Sequence, residues 1–129
     1  MSSPTFASPE DLPAPSGYSH VVSIPSGRLV WTSGQVPIEP DGTLAEGWEE
    51  QTRTAFANVG RALAAAGASW PDVVKLTIFV VDVSELATIR AVRDEFVKTA
   101  SPPTSSLVQV AGLFRPDVLI EIEAVAHLP

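Results

Sequence analysis

The sequence predicts a single α+β domain in which two helices lie on one face of a mixed or antiparallel sheet, forming a two-layer sandwich. Two segments carry apolar residues at the spacing of an amphipathic helix, and several short segments are rich in β-branched residues. These segments follow one another in the order β-β-α-β-α-β-β. A length of 129 residues is enough for one domain with a substantial core.

The first part of the chain is predicted to be extended. Residues 1–16 contain prolines whose spacing excludes a helix or a central strand, namely Pro4, Pro9, Pro13 and Pro15. We therefore expect an N-terminal lead-in over residues 1–16 and one domain over residues 17–129. His20–Ile24 and Arg28–Ser33 have the composition of strands. The turn residues 25–27 between them predict a β-hairpin.

The first helix has the strongest local pattern. Its predicted buried stripe consists of Trp48, Thr52, Ala55, Phe56, Val59, Ala62, Leu63 and Ala66. Gly67 follows the stripe at a position where a left-handed residue commonly ends a helix. Gly60 inside the helix costs about 1 kcal/mol relative to alanine. We therefore expect Gly60 to permit close packing against a strand.

The middle of the chain predicts a buried strand followed by a second helix. Val73–Val81 is almost entirely apolar and β-branched, which is typical of a central strand. Asp82 or Ser84 is suited to cap the helix, and Pro102 with Pro103 blocks its continuation. The predicted buried stripe of this helix is Leu86, Ile89, Val92 and Phe96.

Two strands are predicted to close the domain, at about Ser105–Val110 and Val118–His127. Alternate residues of the last strand point to opposite faces of the sheet. One face carries Val118, Ile120, Ile122, Ala124 and Ala126, and the other carries Leu119, Glu121, Glu123, Val125 and His127. The apolar face suits packing against the helices. The mixed face suits a contact between subunits, and the hydrophobic content of 45% with a mean hydropathy of +0.20 also favours apolar surface buried between subunits.

Charge and composition exclude several classes of partner. The net charge is −7 and no cluster of lysines or arginines is present, so we expect no nucleic-acid partner. No apolar run approaches the roughly 20 residues that span a bilayer, so we expect no membrane partner. The first residues lack the pattern of a signal peptide, which makes a cytoplasmic location the expectation. Without cysteines, and with two histidines at opposite ends of the chain, the sequence gives no sign of a metal site.

Several segments, in order, resemble the Rid family of imine/enamine deaminases, the YjgF-type proteins. They cover roughly residues 13–128. The matching segments are Tyr18-Ser19, Trp31-Thr32-Ser33-Gly34-Gln35-Val36-Pro37, Glu50-Gln51-Thr52-Arg53 with Asn58-Val59, Ala65 to Ser69, Asp72 to Asp82, and Leu119 to Ala126. The resemblance implies a chorismate-mutase-like domain. It also implies a homotrimer with three sites in clefts between subunits.

The resemblance further implies a cofactor-independent, metal-free hydrolysis in which Glu121 positions or activates water. Tyr18, Gly34 and Leu107 fall where family members line the cleft, and Arg90 stands where a cleft asparagine is common. In deaminating members an arginine after the Pro-Pro-x segment binds the substrate carboxylate. Here Ser105 occupies that position. The chain is accordingly identified with an arginine-lacking subgroup of the family.

Two functions of different classes remain open from the sequence. The first is a hydrolase that deaminates a small imine or enamine, releasing ammonia, with Glu121 catalytic and with Tyr18, Gly34, Arg90, Ser105 and Leu107 binding the ligand. Its substrate would differ from 2-aminoacrylate-type imino acids. The second is a non-catalytic homotrimer that binds a small metabolite or acts like a chaperone. Ribonuclease activity, a label of some family members, is disfavoured by the acidic balance of charge.

Simpler interpretations of the same residues also stay open. Glu121 could be a solvated strand residue, and Tyr18 could pack its ring at the sheet edge. Arg90 could be an exposed arginine paired with Glu85 or Asp94. A serine hydrolase triad built from His20 or His127 is disfavoured, because no nucleophile elbow and no orienting acid are present.

Overall fold

Six strands and two helices follow one another along residues 3–129, the part of the chain described by this computed structural model. The elements are β1 Thr5–Ala7, β2 Val21–Ser23, β3 Arg28–Trp31, α1 Gly47–Ala64, β4 Val73–Val80, α2 Leu86–Arg93, β5 Thr104–Gln109 and β6 Ile120–Leu128. Short 3-10 turns at Trp70–Asp72 and Val83–Glu85 precede β4 and α2. Within residues 3–129 no helix combines the length and apolar character needed to cross a bilayer.

The main sheet has four strands in the order β3-β6-β4-β5. Strand β6 pairs antiparallel with both β3 and β4, whereas β4 and β5 are parallel. The two helices contact each other, and α1 packs on β6. This is the predicted mixed sheet in a two-layer α+β sandwich, and the predicted fold class is confirmed.

The core lies between the helices and one face of this sheet. Strand residues alternate between buried and partly exposed along β4 and β6, as a period of two requires. The buried core residues from the sheet are Val30, Val73, Leu76, Ile78, Val80, Ile120, Ile122, Ala124 and Ala126, and those from the helices are Ala55, Phe56, Val59, Leu63, Ile89 and Val92. The other face of the sheet, here called the open face, carries Leu29, Trp31, Lys75, Thr77, Phe79, Ser106, Val108, Glu121, Glu123 and Val125.

The predicted hairpin between β2 and β3 is wrong. Strand β2 pairs with β1 in a separate two-stranded sheet, and β3 pairs with β6. The turn before β3 passes directly over the end of β6, where a side chain at Gly27 would collide with His127 and the Leu128 carbonyl. Ser26 also accepts a hydrogen bond of 2.5 Å from the His127 ring. These contacts direct the chain from the turn onto β6 and away from β2.

The N-terminal segment contributes a strand that the sequence did not predict. Phe6 of β1 lies opposite Val22 of β2. The prolines that predicted an extended segment permit this because β1 is a short edge strand. Met1 and Ser2, the start of the predicted lead-in, lie outside the described residues, and the division of the chain at residue 16 stays a prediction.

Of the two predictions made for glycines in and after α1, the one for Gly67 is confirmed and the one for Gly60 is wrong. Gly67 has a φ of 79° just beyond the helix, so the predicted left-handed residue is confirmed. Gly60 faces the Trp70 indole rather than a strand, and a Cβ at Gly60 would lie 3.3 Å from the Trp70 Nε1. A glycine is thus favoured at position 60 because the Trp70 indole, from the turn before β4, packs closely against the helix there.

A buried glutamine on α1 fixes the start of β6. The Gln51 side chain donates to the Asp117 carbonyl at 2.8 Å and accepts from the Leu119 backbone N–H at 2.8 Å. Gln51 is only 3% exposed, so both bonds satisfy groups that would be costly to leave unpaired. Arg115 and Asp117 pair through two hydrogen bonds in the same turn, which holds the pKa of the Asp117 carboxyl below its usual value. The direction of β6, and with it the position of Glu121, is therefore set by α1.

Candidate functional site

Four of the predicted ligand-binding residues, Tyr18, Arg90, Ser105 and Leu107, line one cleft of about 250 Å³. The cleft lies between α2 and the edge strand β5, on the helix side of the sheet. Its other lining residues are Ser16, Ile78, Leu86, Ile89 and Arg93. Apolar side chains from the sheet and α2 thus form much of the surface, and serine, tyrosine and arginine side chains supply the polar groups.

The strand wall follows from the register of β5 on β4. Ser105 lies opposite Leu76 and Leu107 lies opposite Ile78, so both residues share the face that carries the core. Because β5 is the last strand of the sheet, this wall has no strand beyond it. Side chains at positions 105 and 107 consequently border a cleft instead of another strand.

Tyr18 is held over the cleft by its neighbour Ser19. The Ser19 backbone N–H donates to the Pro103 carbonyl at 3.0 Å, and the Ser19 hydroxyl donates to the Pro102 carbonyl at 2.5 Å. The Tyr18 ring also meets the His20 ring edge-on, with 5.2 Å between centroids. The loop before β2 and the start of β5 are therefore joined, and Tyr18 forms part of the rim.

The helix wall carries two arginines from successive turns of α2. Arg90 is exposed, and within residues 3–129 it forms no ion pair with Glu85 or Asp94. Arg93 is buried and donates from Nε to the Asp94 carboxylate at 3.0 Å. Arg93 was not among the site residues predicted from the sequence. Its spacing of three residues from Arg90 was the one signal that could have placed both side chains on the same wall.

The position of α2 is itself fixed by an arginine on α1. Arg53 donates two hydrogen bonds to Glu95, at 2.8 and 3.0 Å. This pairing lowers the pKa of the Glu95 carboxyl and raises that of Arg53. Two parallel bonds restrict orientation as well as distance, so the pair ties α1 to the residues just after α2.

Glu121 and Gly34, the other two predicted site residues, lie on the open face instead. In the sheet register, Glu121 of β6 lies opposite Phe79 of β4, which lies opposite Val108 of β5. The residues of the cleft, Ser105 and Leu107, alternate with Val108 and point to the other side. A single copy of the chain therefore separates Glu121 from the cleft by the thickness of the sheet.

Gly34 lies directly against the Glu121 side chain. Gln35 exchanges two backbone hydrogen bonds with Ile122, at 2.7 and 3.0 Å, which returns the loop after β3 to β6. Asn58 donates to the carbonyls of Val36 and Ile38, at 2.8 and 3.0 Å, and anchors the rest of the loop to α1. A Cβ at Gly34 would overlap the Glu121 carboxylate.

Other arrangements considered from the sequence do not form a site. His20 contacts the Pro13 carbonyl at 2.7 Å, and His127 contacts the Ser26 carbonyl, so each imidazole is used by the backbone. In the described chain no three His, Cys, Asp or Glu side chains converge in a way that could hold a metal ion. The absence of a cofactor stays a prediction.

Comparison with known proteins places this fold and cleft in a family. The profile of the endoribonuclease L-PSP family matches residues 9–128. The 2-iminobutanoate/2-iminopropanoate deaminase of Salmonella typhimurium is 41% identical over 120 residues, which are 91% of this chain and 92% of that protein.

Two solved structures have the same fold. YyfB, a Rid-family protein from Yersinia pestis, superposes with a TM-score of 0.84 at 35% identity, covering 97% of this chain and 98% of that one. Escherichia coli TdcF with bound serine superposes with a TM-score of 0.72 at 38% identity, covering 90% and 91%. The chain is thus a two-layer α+β protein of the YjgF type. It belongs to the endoribonuclease L-PSP family, also called the Rid family.

Replacing Gly34 by alanine is expected to displace the Glu121 carboxylate without unfolding the protein. The φ of Gly34 is not in the left-handed region, so the backbone accepts alanine. The added methyl group needs about 3.5 Å of separation from its neighbours, which requires the nearer Glu121 carboxylate oxygen to move by about 1.5 Å. A crystal structure of Gly34→Ala with a thermal melt checks both statements. Gly112→Ala is the matched control, because a Cβ there meets open space; an unmoved Glu121 in Gly34→Ala would contradict the expectation.

Proposed function

We propose that this chain forms a homotrimer whose inter-subunit clefts hydrolyse a small imine or enamine and release ammonia. The observation that carries the proposal is the division of the predicted site between the two faces of one sheet. Tyr18, Ser105 and Leu107 border a cleft on the helix side, whereas Glu121 and Gly34 face the opposite direction. A second copy that presents its open face to the first copy's cleft would unite the two sets.

The exposed surface supports such an assembly. In the isolated chain Trp31 is 72% exposed, and Leu29 and Val108 are also exposed, all on the open face. Large apolar side chains exposed on one face of a sheet are typical of a contact between proteins. Half-buried carboxylates, Glu121 among them, lie on the same face. A subunit contact there would therefore enclose the Glu121 carboxylate beside apolar side chains.

The chemistry needs one carboxylate and no cofactor. In the proposed reaction the water oxygen bonds to the imine carbon while Glu121 accepts a proton from the water. The same carboxyl group returns this proton to nitrogen, which gives a carbinolamine. Glu121 then carries the hydroxyl proton of the carbinolamine to nitrogen, the carbon–nitrogen bond breaks, and ammonia leaves as the carbonyl forms. An enamine first takes a proton on carbon to become the imine. Positioned acid–base groups of this kind contribute about 10²–10⁴ in rate.

The relatives support this class of reaction. The Salmonella protein is named for deamination of 2-iminobutanoate and 2-iminopropanoate, and TdcF has been solved with serine bound. Ser105 stands where deaminating relatives are expected to carry the carboxylate-binding arginine. We infer that β5 supplies no cation to the substrate of this chain, and that the substrate or its binding geometry differs accordingly.

A charge on the open face is expected to prevent assembly. The wild-type protein should have a mass of three times 13.6 kDa in sedimentation or light scattering, and Trp31→Glu should have the mass of one chain. Burying an unpaired carboxylate in an apolar contact is unfavourable by several kcal/mol per copy. Ala64→Glu places the same charge on an exposed position of α1 and should leave the mass unchanged. A monomeric wild-type protein would contradict the proposal.

Removing the proposed acid–base group is expected to abolish deamination. Imines formed in situ by an amino-acid oxidase supply the substrate, and ammonia release is measured. Glu121→Gln should lower the rate at least 10²-fold, because the amide cannot accept the proton. Glu123→Gln, the next residue on the same face, is the matched control and should retain activity. Undiminished turnover by Glu121→Gln would remove the mechanism. A ligand bound in the cleft, with no turnover of acidic, neutral or cyclic imines, would favour the metabolite-binding alternative.

A further inference from the structure

Arg93 is a buried cation on the wall of the cleft. Its side chain is only 9% exposed, although it lies near the C-terminal end of a surface helix. Arginine is rarely buried to this extent unless its charge is paired. The contacts of Arg93 therefore show whether its charge is fully paired.

Only part of the Arg93 guanidinium is paired within the chain. Nε donates to Asp94 at 3.0 Å, and Asp94 is itself 47% exposed. Within residues 3–129, Nη1 and Nη2 make no hydrogen bond that meets ordinary geometric criteria. A guanidinium has five N–H donors in a fixed planar arrangement, and four of them belong to these two nitrogens. These two nitrogens thus have no hydrogen-bond partner among the described residues, and Arg93 is one of the residues that line the cleft.

The guanidinium is held in place by the loop before β2. Gly17 has a φ of 75°, and a Cβ there would overlap the Arg93 guanidinium. The guanidinium therefore lies close against a backbone that carries no side chain at Gly17. Packing on one side and the Nε bond on another restrict its rotation. This pre-organises the free donors without the entropy cost of ordering a mobile arginine.

The lining of the cleft is cationic in an acidic protein, and the carboxylate that pairs with Arg93, that of Asp94, is not part of this lining. Arg90 is the second charged residue of the cleft, and its lining contains no aspartate or glutamate. The chain as a whole has a net charge of −7, so this local excess of positive charge is opposite to the overall balance. Ser16, Tyr18 and Ser105 add neutral hydroxyl groups, and Ile78, Leu86 and Leu107 add an apolar surface.

We propose that Arg93, assisted by Arg90, binds the carboxylate of a small organic acid in this cleft, with a short aliphatic part against Ile78, Leu86 and Leu107. This assignment rests on the proposed function, because it takes the cleft to be the substrate-binding site. It adds that the substrate is an organic anion. The positive group that binds the substrate has moved from β5 to α2, across the cleft from Ser105. A serine at position 105 thus marks a changed orientation of an anionic substrate, not the loss of a carboxylate from it.

The test compares two ligands of nearly equal shape and different charge. 2-Oxobutanoate and its neutral amide are titrated into the wild-type protein, and binding is followed by NMR. We expect the anion to bind at least tenfold more tightly than the amide. Arg93→Met, which keeps an unbranched apolar side chain, should lower the affinity for the anion to that for the amide. Arg93→Lys should keep a part of the preference, because a point charge replaces a bidentate group.

Controls separate ligand binding from a structural role. Arg61→Met removes an exposed arginine of α1 and should leave the preference intact. If Arg93→Met does not fold, the Nε–H resonance of wild-type Arg93 decides, because it should shift with 2-oxobutanoate and not with the amide. An anion preference that survives Arg93→Met would overturn the proposal. Equal binding of 2-oxobutanoate and its amide would also overturn the proposal, as would binding of inorganic phosphate alone. An Arg93→Met variant in which only the assembly or the stability changes would overturn it as well.

Failure of this proposal can be told apart from failure of the proposed function, because binding needs no turnover. Ammonia release from neutral imines without an anion preference would overturn only the assignment of Arg93. An anion preference that depends on Arg93, in a protein that deaminates nothing, would overturn only the deaminase.

Discussion

Strand β6 lies at the centre of this molecule, paired on one edge with β3 and on the other with β4. Because successive side chains of a strand point to opposite faces, its sequence assigns Ile120, Ile122 and Ala124 to the core and Glu121 with Glu123 to the open face. A shift of one residue would exchange these sets and bury two carboxylates against α1. Gln51 prevents such a shift by binding both sides of the turn that leads into β6.

The same alternation separates the groups that the proposed chemistry needs. Residues 105 and 107 belong to the face that packs on the helices, and Glu121 belongs to the other. No side-chain movement within one chain can bring a carboxylate through a packed sheet. Glu121 can therefore reach a ligand in such a cleft only from a second copy, and this strand geometry supports the proposed assembly as much as the exposed apolar surface does. Ser105 on β5 and the buried Arg93 on α2 likewise border one cleft.

Local patterns in the sequence predict most of the fold. The helical stripe of α1, the apolar run of β4 and the alternation of β6 each identify an element because burial on one side imposes a period on the sequence. The hairpin prediction failed because turn residues in the sequence indicate where the chain bends, and they do not indicate which strand pairs with β3. The contact of Gly27 with the end of β6, a hundred residues further along the chain, decides which strand β3 joins.

The site was predictable only as far as the family resemblance extends. The resemblance indicated Tyr18, Gly34, Arg90, Ser105, Leu107 and Glu121, and the structure places four of these around one cleft and the other two side by side on the opposite face. Arg93 could not be found in this way, because its burial depends on Gly17, a residue far away in the chain whose backbone leaves room for the guanidinium. A charged residue at the edge of an apolar helical stripe is ordinarily exposed to solvent. That Arg93 is buried instead can be seen only in the folded structure.

Mixing two inactive variants tests most directly whether one site is built from two copies. Leu107→Trp should block the cleft and Glu121→Gln should remove the acid–base group, so each variant alone should release no ammonia. After refolding together in equal amounts, random assembly should unite an intact cleft with an intact Glu121 in about a quarter of the sites. We therefore expect the mixture to show about a quarter of the wild-type activity. Mixed assemblies that are demonstrated by mass spectrometry and yet stay inactive would contradict it.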